Sequence, residues 1–118
     1  MRRLITVLLS GLLMLGSVGA QAHAIVTGHT LQQRPIKART PATVLLQFNS
    51  AIEIRLSRVL LVAKGDTLTP LAIHAGKKSG ELMVSVPALD PGDYALKYRV
   101  FAADGHLTED VLRFRVTE

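Results

Sequence analysis

The sequence predicts an all-β domain, a seven-stranded Greek-key sandwich or barrel, standing behind an export signal. Three observations predict it. Beyond residue 40 the apolar residues recur with period two, Gly-, Pro- and Asp-rich breakers punctuate them, and no stretch of useful length carries a helical period. About seven short strands at this spacing are what a sandwich with Greek-key connections requires.

The chain begins with a segment of a different kind. Arg2 and Arg3 give a basic start, and Leu4 to Val18 is apolar apart from Thr6, Ser10, Gly11, Gly16 and Ser17. Ala20-Gln21-Ala22 then supplies a small-x-small cleavage triplet. This is the pattern of a secretory signal. The apolar run falls short of the ~20 residues a spanning helix needs. Val18-Gly19-Ala20 and Ala22-His23-Ala24 also fit a small-x-small pattern, but alanine at both key positions favours a cut after Ala22. Residues 1–22 are therefore expected to be a signal peptide and residues 23–118 the mature domain. That domain is expected to be periplasmic, with no membrane anchor after processing.

The strands follow in order. Val44, Leu46 and Phe48 alternate with Leu45 and Gln47. Val59 to Ala63 is continuously apolar, as a central strand would be. Leu82, Val84 and Val86 alternate with Glu81, Met83 and Ser85. Tyr94, Leu96, Tyr98 and Val100 form one inward face, and Leu112, Phe114 and Val116 another. One face packing inward while the other meets water produces this alternation. Lys64-Gly65-Asp66, Gly76 to Gly80 and Asp90-Pro91-Gly92-Asp93 break the runs. A single turn of helix is expected near Ile52 to Ser57.

Composition narrows the function. The formal charge of +5 falls by two when Arg2 and Arg3 leave, and the remaining basic residues are scattered. That is a solvated surface of mixed sign, and no nucleic-acid partner is expected. There is no cysteine, hence no disulfide, no thiolate nucleophile and no thiolate zinc site. No serine stands in a Gly-x-Ser-x-Gly elbow. The chain is not expected to be an enzyme.

The residues that can carry chemistry are histidines. His23 becomes the first residue if the signal is cut after Ala22. A terminal histidine offers its α-amine and a ring nitrogen to one metal. Asp104 and His106, in "FAADGHLTED", are two apart, and in an extended segment such side chains point the same way. Asp104-Gly105 is equally a hairpin signal between two strands, and turn and ligand readings carry about equal weight. With His23 the set becomes three nitrogens and an oxygen, a tetragonal donor set that suits Cu(II). One Cu(II) per mature chain is expected, held by His23, Asp104 and His106. Cu(I) prefers sulfur, and Met83 is the only methionine beyond the signal. His29, six residues after His23, can approach the same metal or face solvent. His74 reads as a surface residue, and Glu109 and Asp110 as solvated charges.

At these residues the sequence resembles the CopC family of periplasmic copper-binding proteins. The resemblance rests on a signal ending before "HA", on "TPATVLLQFNSAIE", on "LVAKGD" and above all on "LDPGDYALKYRVFAADGHLTEDVLRFRV". It covers essentially the whole mature chain. It implies a cupredoxin-like or immunoglobulin-like sandwich, with Cu(II) on His23, Asp104 and His106. It also implies a role in periplasmic copper handling, often beside an inner-membrane copper-transport partner of the CopD kind; the domain itself is expected to be a monomer. The family's Ser-x-Pro-Ala segment is absent here, as is the methionine-rich Cu(I) region of some members. Where some members place a glutamate near the copper, this chain has Ser50. The leading expectation is a copper carrier or buffer. The alternatives are a metal-free interaction module of the envelope and, less favoured, a copper oxidoreductase using two histidines as a brace.

Overall fold

A computed structural model describes residues 24–118, and these form two antiparallel four-stranded sheets packed face to face. The signal-peptide segment and His23 lie outside the described residues. The first sheet has the order β1 (Val26–His29), β2 (Ala42–Phe48), β6 (Glu81–Val86), β5 (Ile73–Ala75). The second has the order β4 (Thr67–Pro70), β3 (Arg58–Ala63), β7 (Gly92–Phe101), β8 (Leu107–Val116). Chain neighbours pair as hairpins, and the chain then crosses to the other sheet. The central pairs, β2–β6 and β3–β7, are therefore far apart in sequence, as in a Greek key.

The alternating patterns become these strands. Val44, Leu46 and Phe48 of β2 face inward with Leu82, Val84 and Val86 of β6. Val59, Leu61, Leu96, Tyr98 and Val100 meet them from the second sheet. Phe48 and Tyr98 pack edge to face across the sheets, with ring centroids 5.8 Å apart. Truncating Leu46, Leu82 or Leu96 to alanine would cost about 2–5 kcal/mol, because each is fully buried. Without a disulfide, this layer carries the stability.

The strands number eight where seven were expected. The additional elements are short: β4 is exposed at every position, and β5 has three residues. β4 ends on Pro70, which an edge strand tolerates because its outward positions need no N–H for a ladder. The helical turn near Ile52 to Ser57 is a 3-10 turn at Ile54–Leu56. Behind it, the buried Ser57 hydroxyl donates to the Glu53 carbonyl (2.7 Å) and accepts the Phe101 N–H (3.2 Å). This fixes the end of β7, where the Asp104–His106 turn begins.

Candidate metal centre

The β7–β8 connection is built from Ala102 to His106. Gly105 N–H donates to the Ala102 carbonyl and Ala102 N–H to the His106 carbonyl, both at 2.9 Å. Gly105 has φ +91°, a left-handed conformation that side chains rarely adopt. Within this turn the Asp104 side chain folds back on His106. Its Oδ1 accepts the His106 backbone N–H at 3.0 Å, and its Oδ2 lies 2.9 Å from His106 Nδ1.

Residue spacing alone predicts the pair on one side of an extended segment. In the structure the segment is a turn, and the convergence comes from an aspartate bonding two residues ahead, as Asx turns do. Turn and ligand readings are therefore compatible, because the bond that stabilises the turn also aligns the ring.

The electrostatics follow from that contact. The His106 ring beside it, with the His106 backbone N–H second, holds the Asp104 carboxyl below its ordinary range. An ionised carboxylate only accepts hydrogen bonds, so the ring proton in this contact sits on Nδ1. In the neutral ring Nε2 then carries the lone pair. This is the tautomer of metal-ligating histidines whose other nitrogen donates to a carboxylate. Both side chains are open to solvent, at 51% for His106 and 39% for Asp104. An imidazole nitrogen and a carboxylate oxygen suit a divalent ion. They are two donors, and among the described residues no three His, Cys, Asp or Glu side chains converge.

The other candidates separate from this pair. His29 is at the end of β1, opposite Leu46, and lines a cavity with Leu112 to Arg115 of β8. Leu112 lies five residues along the strand from Leu107, about 16 Å at 3.3 Å per residue. His29 is therefore not brought to the Asp104–His106 turn; its Nδ1 is buried with no hydrogen-bond partner among the described residues. His74 is exposed on β5 and pairs with Met83 on the first sheet. Glu109 is bound to Arg99 at 2.6 Å on an exposed surface, and Asp110 accepts the Val111 N–H.

The described chain starts near the turn. Ala24 is fully buried, and Ile25 is held by Asn49: Ile25 N–H donates to Asn49 Oδ1 (2.8 Å), and Asn49 N–H donates to the Ile25 carbonyl (3.0 Å). Two residues after Asn49, the Ala51 carbonyl accepts the Ala103 N–H at 2.9 Å. Sequence reasoning missed Asn49. Its only signal was an asparagine just past a strand, a residue whose side-chain carbonyl imitates a backbone carbonyl.

Comparison with known proteins agrees with this architecture. The CopC domain model matches residues 26–117. The crystal structure of CopC from Methylosinus trichosporium OB3b superposes with a TM-score of 0.65 at 26% identity, over 80% of this chain and 93% of that one. PcoC, a methionine-rich copper resistance protein from Escherichia coli, superposes at 0.58 and 18% identity, over 81% of this chain and 100% of its own. The second of these likenesses speaks for the fold alone. No curated protein matches the chain. With nearly all of the described residues covered by one domain model, the chain belongs to the CopC family.

Proposed function

We propose that the protein is a periplasmic Cu(II) carrier or buffer in copper homeostasis, resistance or uptake, and not an enzyme. One Cu(II) is held by the α-amine and ring of His23, the His106 ring and an Asp104 oxygen. The observation that carries this reading is the Asp104–His106 turn, hydrogen-bonded to a segment that also grips Ile25, two residues after His23. Family membership and the copper proteins of similar fold support the choice of metal. So does the donor set, since copper heads the divalent affinity series for nitrogen and oxygen ligands.

The residues divide the work. His106 would present Nε2 to the ion. Asp104 holds His106 Nδ1 with Oδ2, and Oδ1, which accepts the His106 backbone N–H, would have a second lone pair to offer. The His23 amine must lose its proton, and its reference pKa is about 7.7–8.0, so affinity falls as pH drops. The half-exposed position of the pair suits an ion that is taken up and passed on, with the envelope's copper-transport machinery as the receiving class. The test is a titration of the processed chain, its first residue confirmed by intact mass, with Cu(II) in competition against a chelator of known affinity. One tightly bound equivalent supports the reading, and the absence of binding contradicts it.

A further inference from the structure

The segment between β2 and the 3-10 turn is anchored more firmly than a connection needs. Phe48 N–H donates to the Gly80 carbonyl (2.8 Å) and Ile52 N–H to the Ser79 carbonyl (3.2 Å). A Cβ on Gly80 would lie 2.6 Å from the Phe48 oxygen, so the two backbones touch there. Ile52 also bridges Ala102. Residues 48–52 are thus a braced strap, tied on one side to the Ser79–Gly80 loop and on the other to the turn that carries Asp104.

The strap also holds the start of the described chain, and here a side chain is required. The ladder of β1 with β2 reaches Val26 opposite Phe48, with an irregularity between Val26 and Gly28. Ile25 lies beyond that register. Its N–H is taken by the Asn49 side-chain oxygen and its carbonyl by the Asn49 N–H, so one residue satisfies both backbone groups. Next to Asn49, the Ser50 hydroxyl is buried with no hydrogen-bond partner among the described residues, so the strap carries unused polar capacity at this point.

We propose that Asn49 is a positioning residue for the copper centre: its clamp on Ile25 ties the segment that follows His23 to the strap that also holds the Asp104–His106 turn. This rests on the reading of His23 as a metal ligand. Asn49 does not touch the metal. It acts by holding the Ile25 backbone on the same strap that is bonded to the Asp104–His106 turn. A partner that orients a ligand without binding the metal typically changes affinity by about 10- to 100-fold.

The experiment uses the processed chain beginning at His23, with Asn49→Ala, Asn49→Asp and His106→Ala variants. Three quantities are read: Cu(II) affinity by chelator competition, the electron paramagnetic resonance spectrum of the loaded protein, and hydrogen exchange of the Ile25 amide without metal. In Asn49→Ala the Ile25 amide should exchange faster, affinity should fall about 10- to 100-fold, and the spectrum should shift. Asn49→Asp keeps the acceptor oxygen and should restore the spectrum and most of the affinity. Wild-type affinity and spectrum in Asn49→Ala, with binding lost in His106→Ala, would overturn the role of Asn49 and leave the copper site standing. A loss of affinity with an unchanged spectrum and no rescue by aspartate would make Asn49 merely structural and overturn the proposal. Absence of copper binding in the wild type would remove the site, and the positioning role with it.

Discussion

Two glycine turns close hairpins in the same sheet. Gly65, in Lys64-Gly65-Asp66, links β3 to β4 with φ +78°, and Gly105 links β7 to β8 with φ +91°. A Cβ would meet nothing within 4 Å at either, so both glycines serve the backbone conformation and not a tight fit. The turns part company in their side chains. At the first, Thr67 Oγ1 donates to the Lys64 carbonyl at 3.3 Å, a local closure of the loop. At the second, an aspartate grips both the backbone and the ring of a histidine. Glycine makes the hairpin, and the carboxylate–imidazole pair makes the candidate site. A dipeptide that satisfies the first requirement says nothing about the second.

The sharpest way to break the comparison is to remove the ring. His106→Ala should lower Cu(II) affinity by at least ~100-fold, since it removes one nitrogen donor and leaves the carboxylate without its partner. Thermal unfolding should be nearly unchanged, because the side chain is half exposed. His74→Ala, on the exposed β5 edge, should leave copper binding at the wild-type value. A loss there would mean that the wrong histidine has been assigned.

Asp104→Ala should have a smaller effect, about 10- to 100-fold, as expected for the group that fixes a ligand's tautomer and adds one oxygen. The same contact has a signature without metal. Asp104 should titrate below the ordinary carboxylate range, and His106→Ala should bring it back up. The sign follows from a depressed folded-state pKa. The contribution to stability is present above the unfolded carboxylate value and is lost as pH falls through the lower folded one. A carboxyl NMR titration reads it directly. An unshifted Asp104 in the wild type would contradict the contact.

The smallest effect concerns the glycines. Gly105→Ala and Gly65→Ala should each destabilise the fold by about 1–2 kcal/mol, the cost of a left-handed residue with a Cβ. Chemical denaturation should show the two as similar. Only Gly105→Ala should also weaken copper binding, because it disturbs the turn that aligns the ring. Equal copper affinity in both would show that the alignment does not depend on this backbone.

Much of the architecture was readable because long strands with one buried face leave a period-two trace. β2, β6 and β7 do so, and β3 shows the continuous apolar run of a strand between two neighbours. The short edge strands left no such trace. Thr67 to Pro70 is exposed throughout, and Ile73 to Ala75 is too short for a period to be seen. The site was half readable. Asp104 and His106 are two residues apart, so proximity was built in. The Asn49 clamp joins residues 24 apart through one amide, and an asparagine just past a strand does not say which backbone it will bind. The fate of His29 was equally hidden. Which way β1 runs depends on its pairing with β2, and that pairing carries the ring away from the turn.

The central claim is that the amine of His23 is a copper ligand alongside the Asp104–His106 turn. The most direct measurement compares two forms of one chain: the chain beginning at His23 with its amine free, and the same chain acetylated on that amine. Both rings, the carboxylate and the fold remain, and only the free amine is removed. The account predicts that the acetylated chain binds Cu(II) at least ~100-fold more weakly by chelator competition and has an altered resonance spectrum, as loss of a coordinated nitrogen requires. Equal affinity and an identical spectrum in the two forms would contradict it.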